Sequence, residues 1–98
     1  MRHALLCALS FGMVLTSANA QDQAKLERAC EAEISKAERS IAEARRRPEY
    51  NSEKGRQTLA AADRYVNQAR RHAGRGESRN CAEAARKGRA QLSAQRGR

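Results

Sequence analysis

The chain has 98 residues, a formal net charge of +9, three cysteines, one proline and no tryptophan. This length supports one domain and excludes a second. With charged residues at 32% and aromatics at 3%, the composition excludes an aromatic core and argues against nucleic-acid recognition by base stacking.

Residues 1–20 read as a cleaved secretory signal peptide. Arg2 supplies the charge, an apolar run from Ala4 to Leu15 is broken only by Ser10 and Gly12, and Ala18 and Ala20 offer small side chains to a peptidase. About twelve apolar residues fall short of the roughly 20 that a bilayer core requires, so a transmembrane anchor is disfavoured. Cys7 lies too near the N-terminus to be a lipoprotein acylation site. Cleavage is expected after Ala20, leaving residues 21–98 as a single three-helix domain with no transmembrane span. Export to the bacterial periplasm or beyond the cell follows.

After cleavage the large apolar side chains are Leu26, Ile34, Ile41, Tyr50, Leu59, Tyr65, Val66 and Leu92. At roughly 1.5 to 3 kcal/mol each, they bury too little to offset the ordering of the chain comfortably. Cys30 and Cys81 are then the remaining cysteines, and a pair in a small exported chain reads as one disulfide. A redox or metal-binding pair is disfavoured, because there is no Cys-x-x-Cys and His72 is the single histidine beyond residue 20.

The first helix is expected over about 23–46, capped by Asp22. Leu26, Cys30, Ile34, Ala37, Ile41 and Ala44 fall on one stripe, which leaves Glu31, Glu33, Lys36, Glu38, Arg39, Glu43 and Arg45 for solvated faces. Acidic residues early and Arg45, Arg46 and Arg47 late oppose the helix dipole, and Pro48 ends the helix. After a short turn, Asn51 or Ser52 caps a second helix over about 52–73, with a seam of Gly55, Leu59, Ala62, Val66, Ala69 and Ala73. Gly74 is expected in the left-handed C-terminal position. Asn80 and Glu83 suggest a capping box for a third helix over about 81–95, whose stripe is Cys81, Ala85, Gly88, Leu92 and Gln95.

Three seams of one heptad-like period imply an all-α, left-handed, up-down-up three-helix bundle. In that topology the first and third helices are parallel. Cys30, early in the one, therefore meets Cys81, at the start of the other.

The alternation of Ala-rich helices around Glu49-Tyr50-Asn51-Ser52, followed by Leu59-Ala60-Ala61-Ala62, resembles small Ala-rich helical envelope proteins of bacteria carrying a domain of unknown function. The resemblance spans residues 24–94 and rests on composition and helix phasing. It implies a helical envelope protein and no particular activity.

Charge is uneven: residues 21–47 hold 7 basic and 6 acidic groups, and residues 48–98 hold 12 and 5. Arg70, Arg71, Arg75 and Arg79 crowd the second turn around His72 and form a candidate anion-binding cluster. Export makes nucleic acid an unsuited partner, whereas anionic lipid, lipopolysaccharide or an acidic envelope polymer fits the compartment. Seams built mostly of alanine are too weakly apolar to insert in a bilayer.

Catalysis is not expected, and neither is a cofactor or metal site. His72 has no predictable partner. The pairs Glu31 with Glu33 and Glu38 with Asp63 read as surface charge, and Gly74-x-Gly76 lacks the strand that precedes a phosphate-cradling loop. Two function classes remain: a binding or structural module docking on an anionic envelope component, and a periplasmic protein-partner module, chaperone-like or an accessory subunit, anchored by Tyr50 or Tyr65. The Leu-Thr-x-x-Gln motif of small helical periplasmic chaperones is absent.

Overall fold

The computed structural model describes the backbone of residues 2–96 and the side chains of residues 20–94. The side chains of residues 1–19, within the segment read as a signal peptide, and that of Gln95 lie outside the described residues. Among the described residues there are three helices, α1 (Arg2–Arg45), α2 (Glu53–Gly74) and α3 (Ser78–Arg96), and a 3-10 turn at Pro48–Asn51. This is an all-α three-helix bundle.

The order of contacts sets the topology. Along α1, Glu38 meets Arg70 and Arg45 meets Asp63, so α1 and α2 run in opposite directions. Gln23 meets Ser78, Cys30 meets Cys81 and Glu33 meets Arg86, so α1 and α3 run in parallel. The arrangement is up-down-up, as the matching seams require.

Alanine, Glu, Arg and Lys carry α1 without a Gly or Pro between Gln21 and Arg47. The last turn tightens through Arg46 N–H to Glu43 O at 3.1 Å and Arg47 N–H to Ala44 O at 3.0 Å. Pro48 then forces Arg47 into extended backbone (φ −91°, ψ 131°), and the helix stops. Asp22 does not cap α1, because the helix runs unbroken through it.

Ser52 caps α2, its Oγ accepting from Gly55 N–H at 3.0 Å. The C-terminus differs from expectation. Gly74 is the last helical residue, and the left-handed position falls at Gly76 (φ 76°). Gly76 N–H donates to Ala73 O at 3.1 Å and Glu77 N–H to His72 O at 2.9 Å, the paired bonds of a Schellman turn. Those two bonds place the reversal two residues later than Gly74. The third helix also starts early: Cys81 N–H donates to Glu77 O at 2.9 Å, so Asn80 lies inside the first turn and not at a cap.

The core follows the three stripes. Cys30, Ala37, Ile41 and Ala44 meet Ala62, Val66, Ala69, Cys81, Ala85 and Leu92, with Ile34 and Leu59 packed at the edge. Small residues allow close approach at the cost of buried area. Gly88 lies under Ala62 and Tyr65, where a Cβ would sit 3.2 Å from Ala62 O. Tyr50 and Cys81 are the largest fully buried side chains among the described residues, and the Tyr50 hydroxyl donates to Leu92 O at 3.2 Å. One 3-10 turn thereby fastens the end of α3. Ala73, expected in the second seam, is exposed because the chain is already turning away.

Candidate functional site

The disulfide defines one end of the bundle. Cys30 and Cys81 are bonded, with S–S 1.97 Å and Cα–Cα 5.4 Å, and both are buried. Above them, the C-terminal turn of α2, the three-residue connection and the first turn of α3 carry Arg71, Arg75 and Arg79. All three are exposed. None makes an ion pair with the described residues, and the nearest acid in sequence, Glu77, is engaged elsewhere: His72 Nδ1 lies 2.6 Å from Glu77 Oε1. The negative end of the α2 dipole is offset here in two ways. The Schellman bonds occupy the His72 and Ala73 carbonyls, and the positive end of α3 lies alongside.

Arg70 does not join this group. One residue before Arg71, it lies about 100° around the helix and faces α1, where its Nη2 donates to Glu38 and its Nη1 meets Asn67 Oδ1 at 3.5 Å. Two turns away, Arg45 pairs with Asp63 at 2.7 Å. These two pairs flank a groove of about 460 Å³ between α1 and α2, floored by Ile41 and Val66. The expected four-arginine cluster is therefore three arginines at the disulfide end and one in a cross-helix ion pair.

Glu33, Glu38, Glu43 and Asp63 each pair with an arginine. Glu38 and Asp63 serve different guanidinium groups, and Arg47 pairs with Glu43 at 2.9 Å within α1. Glu33 departs most from the sequence reading: it is not on a solvated face but only 7% exposed at the α1–α3 interface. Its carboxylate accepts from Arg86 Nε at 3.2 Å and from Arg89 Nη2 at 2.7 Å. Glu33 sits three residues after Cys30 and four before Ala37, at the margin of the apolar stripe. That position was the available signal, since a residue there is covered as soon as a parallel neighbour packs alongside.

Tyr50 is likewise unavailable as an anchor for a partner, being buried with its hydroxyl occupied. Tyr65 is half-buried and lines a groove of about 340 Å³ between α2 and α3, with Ala61, Arg64, Gln68 and Gln91. No described helix is long and apolar enough to cross a membrane, and no group of three or more His, Cys, Asp or Glu among the described residues could hold a metal ion. Comparison with protein-family models, with curated proteins and with solved structures finds no match.

Proposed function

We propose that this protein is a non-enzymatic, cationic, exported helical module that docks on an anionic envelope component, a lipid headgroup surface, lipopolysaccharide or an acidic polymer, through the disulfide end of the bundle. One observation carries the reading. Arg71, Arg75 and Arg79 are exposed, without acidic partners and gathered around one turn, whereas Arg45, Arg47, Arg70, Arg86 and Arg89 are each bonded to a carboxylate and the other arginines unpaired among the described residues, Arg28, Arg39, Arg46, Arg56 and Arg64, are spread from α1 to α2. A guanidinium without a partner offers its whole donor fork to phosphate or carboxylate. The covalent tie beneath holds the backbone that presents the three side chains. Export through residues 1–20 belongs to the same proposal and is supported by the buried disulfide, which persists in oxidising compartments.

Replacement of Arg71, Arg75 and Arg79 by Gln tests it. The melting temperature should stay within a few degrees of the parent, because these side chains are exposed. Co-sedimentation with phosphatidylglycerol vesicles or lipopolysaccharide at low salt should fall at least several-fold, and its salt dependence should flatten as fewer cations take part. A triple variant that binds like the parent would overturn the docking site. The protein-partner reading, with the Tyr65 groove as its surface, would then take its place.

A further inference from the structure

We propose a second, separate anion site on the α1–α3 flank, formed by Arg86, Arg89 and Lys36 over the buried Glu33, whose ligand is a phosphate dianion, free or as a phosphomonoester. Glu33 takes Arg86 through Nε alone, leaving both of its terminal nitrogens uncommitted, and takes Arg89 through Nη2, leaving Nη1. Arg89 Nε is buried without a hydrogen-bond partner. Two guanidinium groups thus share one carboxylate, and the group keeps excess positive charge and spare N–H donors. That buried Nε is closed to a ligand, so the donors open to one are the terminal nitrogens of Arg86 and Nη1 of Arg89.

Geometry distinguishes this group from a solvated charge patch. The carboxylate that orients the guanidinium groups has only 9% of its side chain exposed, while the Arg86 and Arg89 side chains are 57% and 36% exposed. The buried acid holds Arg86 at Nε and Arg89 at Nη2, and both arginine side chains keep exposed surface. Arg86 and Arg89 are three residues apart and therefore on one side of α3. Lys36 follows Glu33 by three residues on α1, is exposed, and makes no ion pair among the described residues.

The disulfide supplies the register. It pairs Cys30 with Cys81, 51 residues apart, on parallel helices of equal rise, so Lys36 stands level with position 87, between Arg86 and Arg89. Two forks with an ammonium at the same level of the bundle suit a tetrahedral dianion better than a carboxylate, which has only two oxygens to share. Glu83, three residues before Arg86, is exposed and opposes the ligand, but the three cations outnumber it and Glu33 together. Because Glu33 already holds both arginines, binding need not order them again, unlike at Arg71, Arg75 and Arg79.

Arginine Nε–H resonances followed by NMR during titration with inorganic phosphate, at constant ionic strength with chloride, test the site. Arg86 and Arg89 should shift and saturate, while Arg71, Arg75 and Arg79 drift without saturating. Arg86→Gln and Lys36→Gln, both at exposed positions, should each weaken phosphate about ten-fold or more with the fold unchanged by circular dichroism. Glu33→Gln separates orientation from charge. It makes the protein more positive, so simple attraction would tighten binding, whereas loss of the oriented pair weakens it several-fold. Equal or tighter binding by Glu33→Gln, or an unsaturable response at Arg86, would overturn the proposal. A parallel titration with short-chain phosphatidic acid assigns the source: a lipid phosphomonoester if it binds at least ten-fold tighter than phosphate, free phosphate otherwise. None of the substituted residues belongs to the disulfide end, so failure here leaves the docking surface untouched.

Discussion

Gly55→Ala puts a methyl group where backbone already stands. An added Cβ would lie 2.4 Å from Tyr50 Cα, 2.7 Å from Tyr50 C and 2.8 Å from Tyr50 O, against an ordinary carbon contact of about 3.5 to 4.0 Å. No flexible side chain can give way, so the Pro48–Asn51 turn must move. That motion pulls on the buried Tyr50 and on its hydrogen bond to Leu92 O. Overpacking costs roughly 1 to 3 kcal/mol and the weakened bond about 1, while Ala in place of Gly in a helix returns about 1. A net loss of about 2 kcal/mol corresponds to a fall of roughly 8 to 16 °C in melting temperature for a domain of this size.

Thermal unfolding followed by helical circular dichroism in the oxidised protein reads it, with two other glycines as internal controls. Gly74→Ala, where a Cβ meets nothing within 4 Å, should raise the melting point by a few degrees. Gly88→Ala, at 3.2 Å from Ala62 O and 3.3 Å from Tyr65 Cβ, should fall between the other two. A Gly55→Ala protein melting at or above the parent would refute the close seating of the turn on α2.

Removing the disulfide by a Cys30→Ser, Cys81→Ser double substitution frees a loop spanning 51 residues and should cost about 4 kcal/mol in the chain-entropy model, lowering the melting temperature by more than about 15 °C. An unchanged melt would mean that the alanine-rich core suffices alone. Tyr50→Phe deletes one buried hydrogen bond and should cost about 1 kcal/mol, with faster amide exchange confined to the last turns of α3. Intact mass of protein recovered from the periplasm should correspond to a chain beginning at Gln21, and a mass retaining residues 1–20 would sink the export proposal.

Periodicity alone was enough to specify three helices and their stripes, because apolar spacing reports which face of a helix is covered. Parallel α1 and α3 then placed Cys30 beside Cys81, Pro48 marked the end of α1 through local sterics, and Ser52, with Asn51 as the alternative, marked the start of α2 through capping. The stripes and these two boundaries are one-element or one-loop effects, and their causes lie within a few residues of the sequence. The outcomes at the other boundaries were different. Whether the left-handed residue is Gly74 or Gly76, and whether α3 begins at Ser78 or Cys81, depends on which carbonyls the turn satisfies, and two neighbouring glycines are equally able to adopt that conformation.

Which charges lie at an interface was decided only by the tertiary structure. Glu33 and Glu38 look alike on α1, yet one is buried between two arginines of α3 and the other pairs at the surface with Arg70. Arg70 and Arg71 are adjacent in sequence, yet one is committed across the bundle and the other is free among the described residues. A helix turns about 100° per residue, so neighbouring side chains face different partners. The partner's register is set by packing and by the disulfide, neither of which a single stretch of sequence contains.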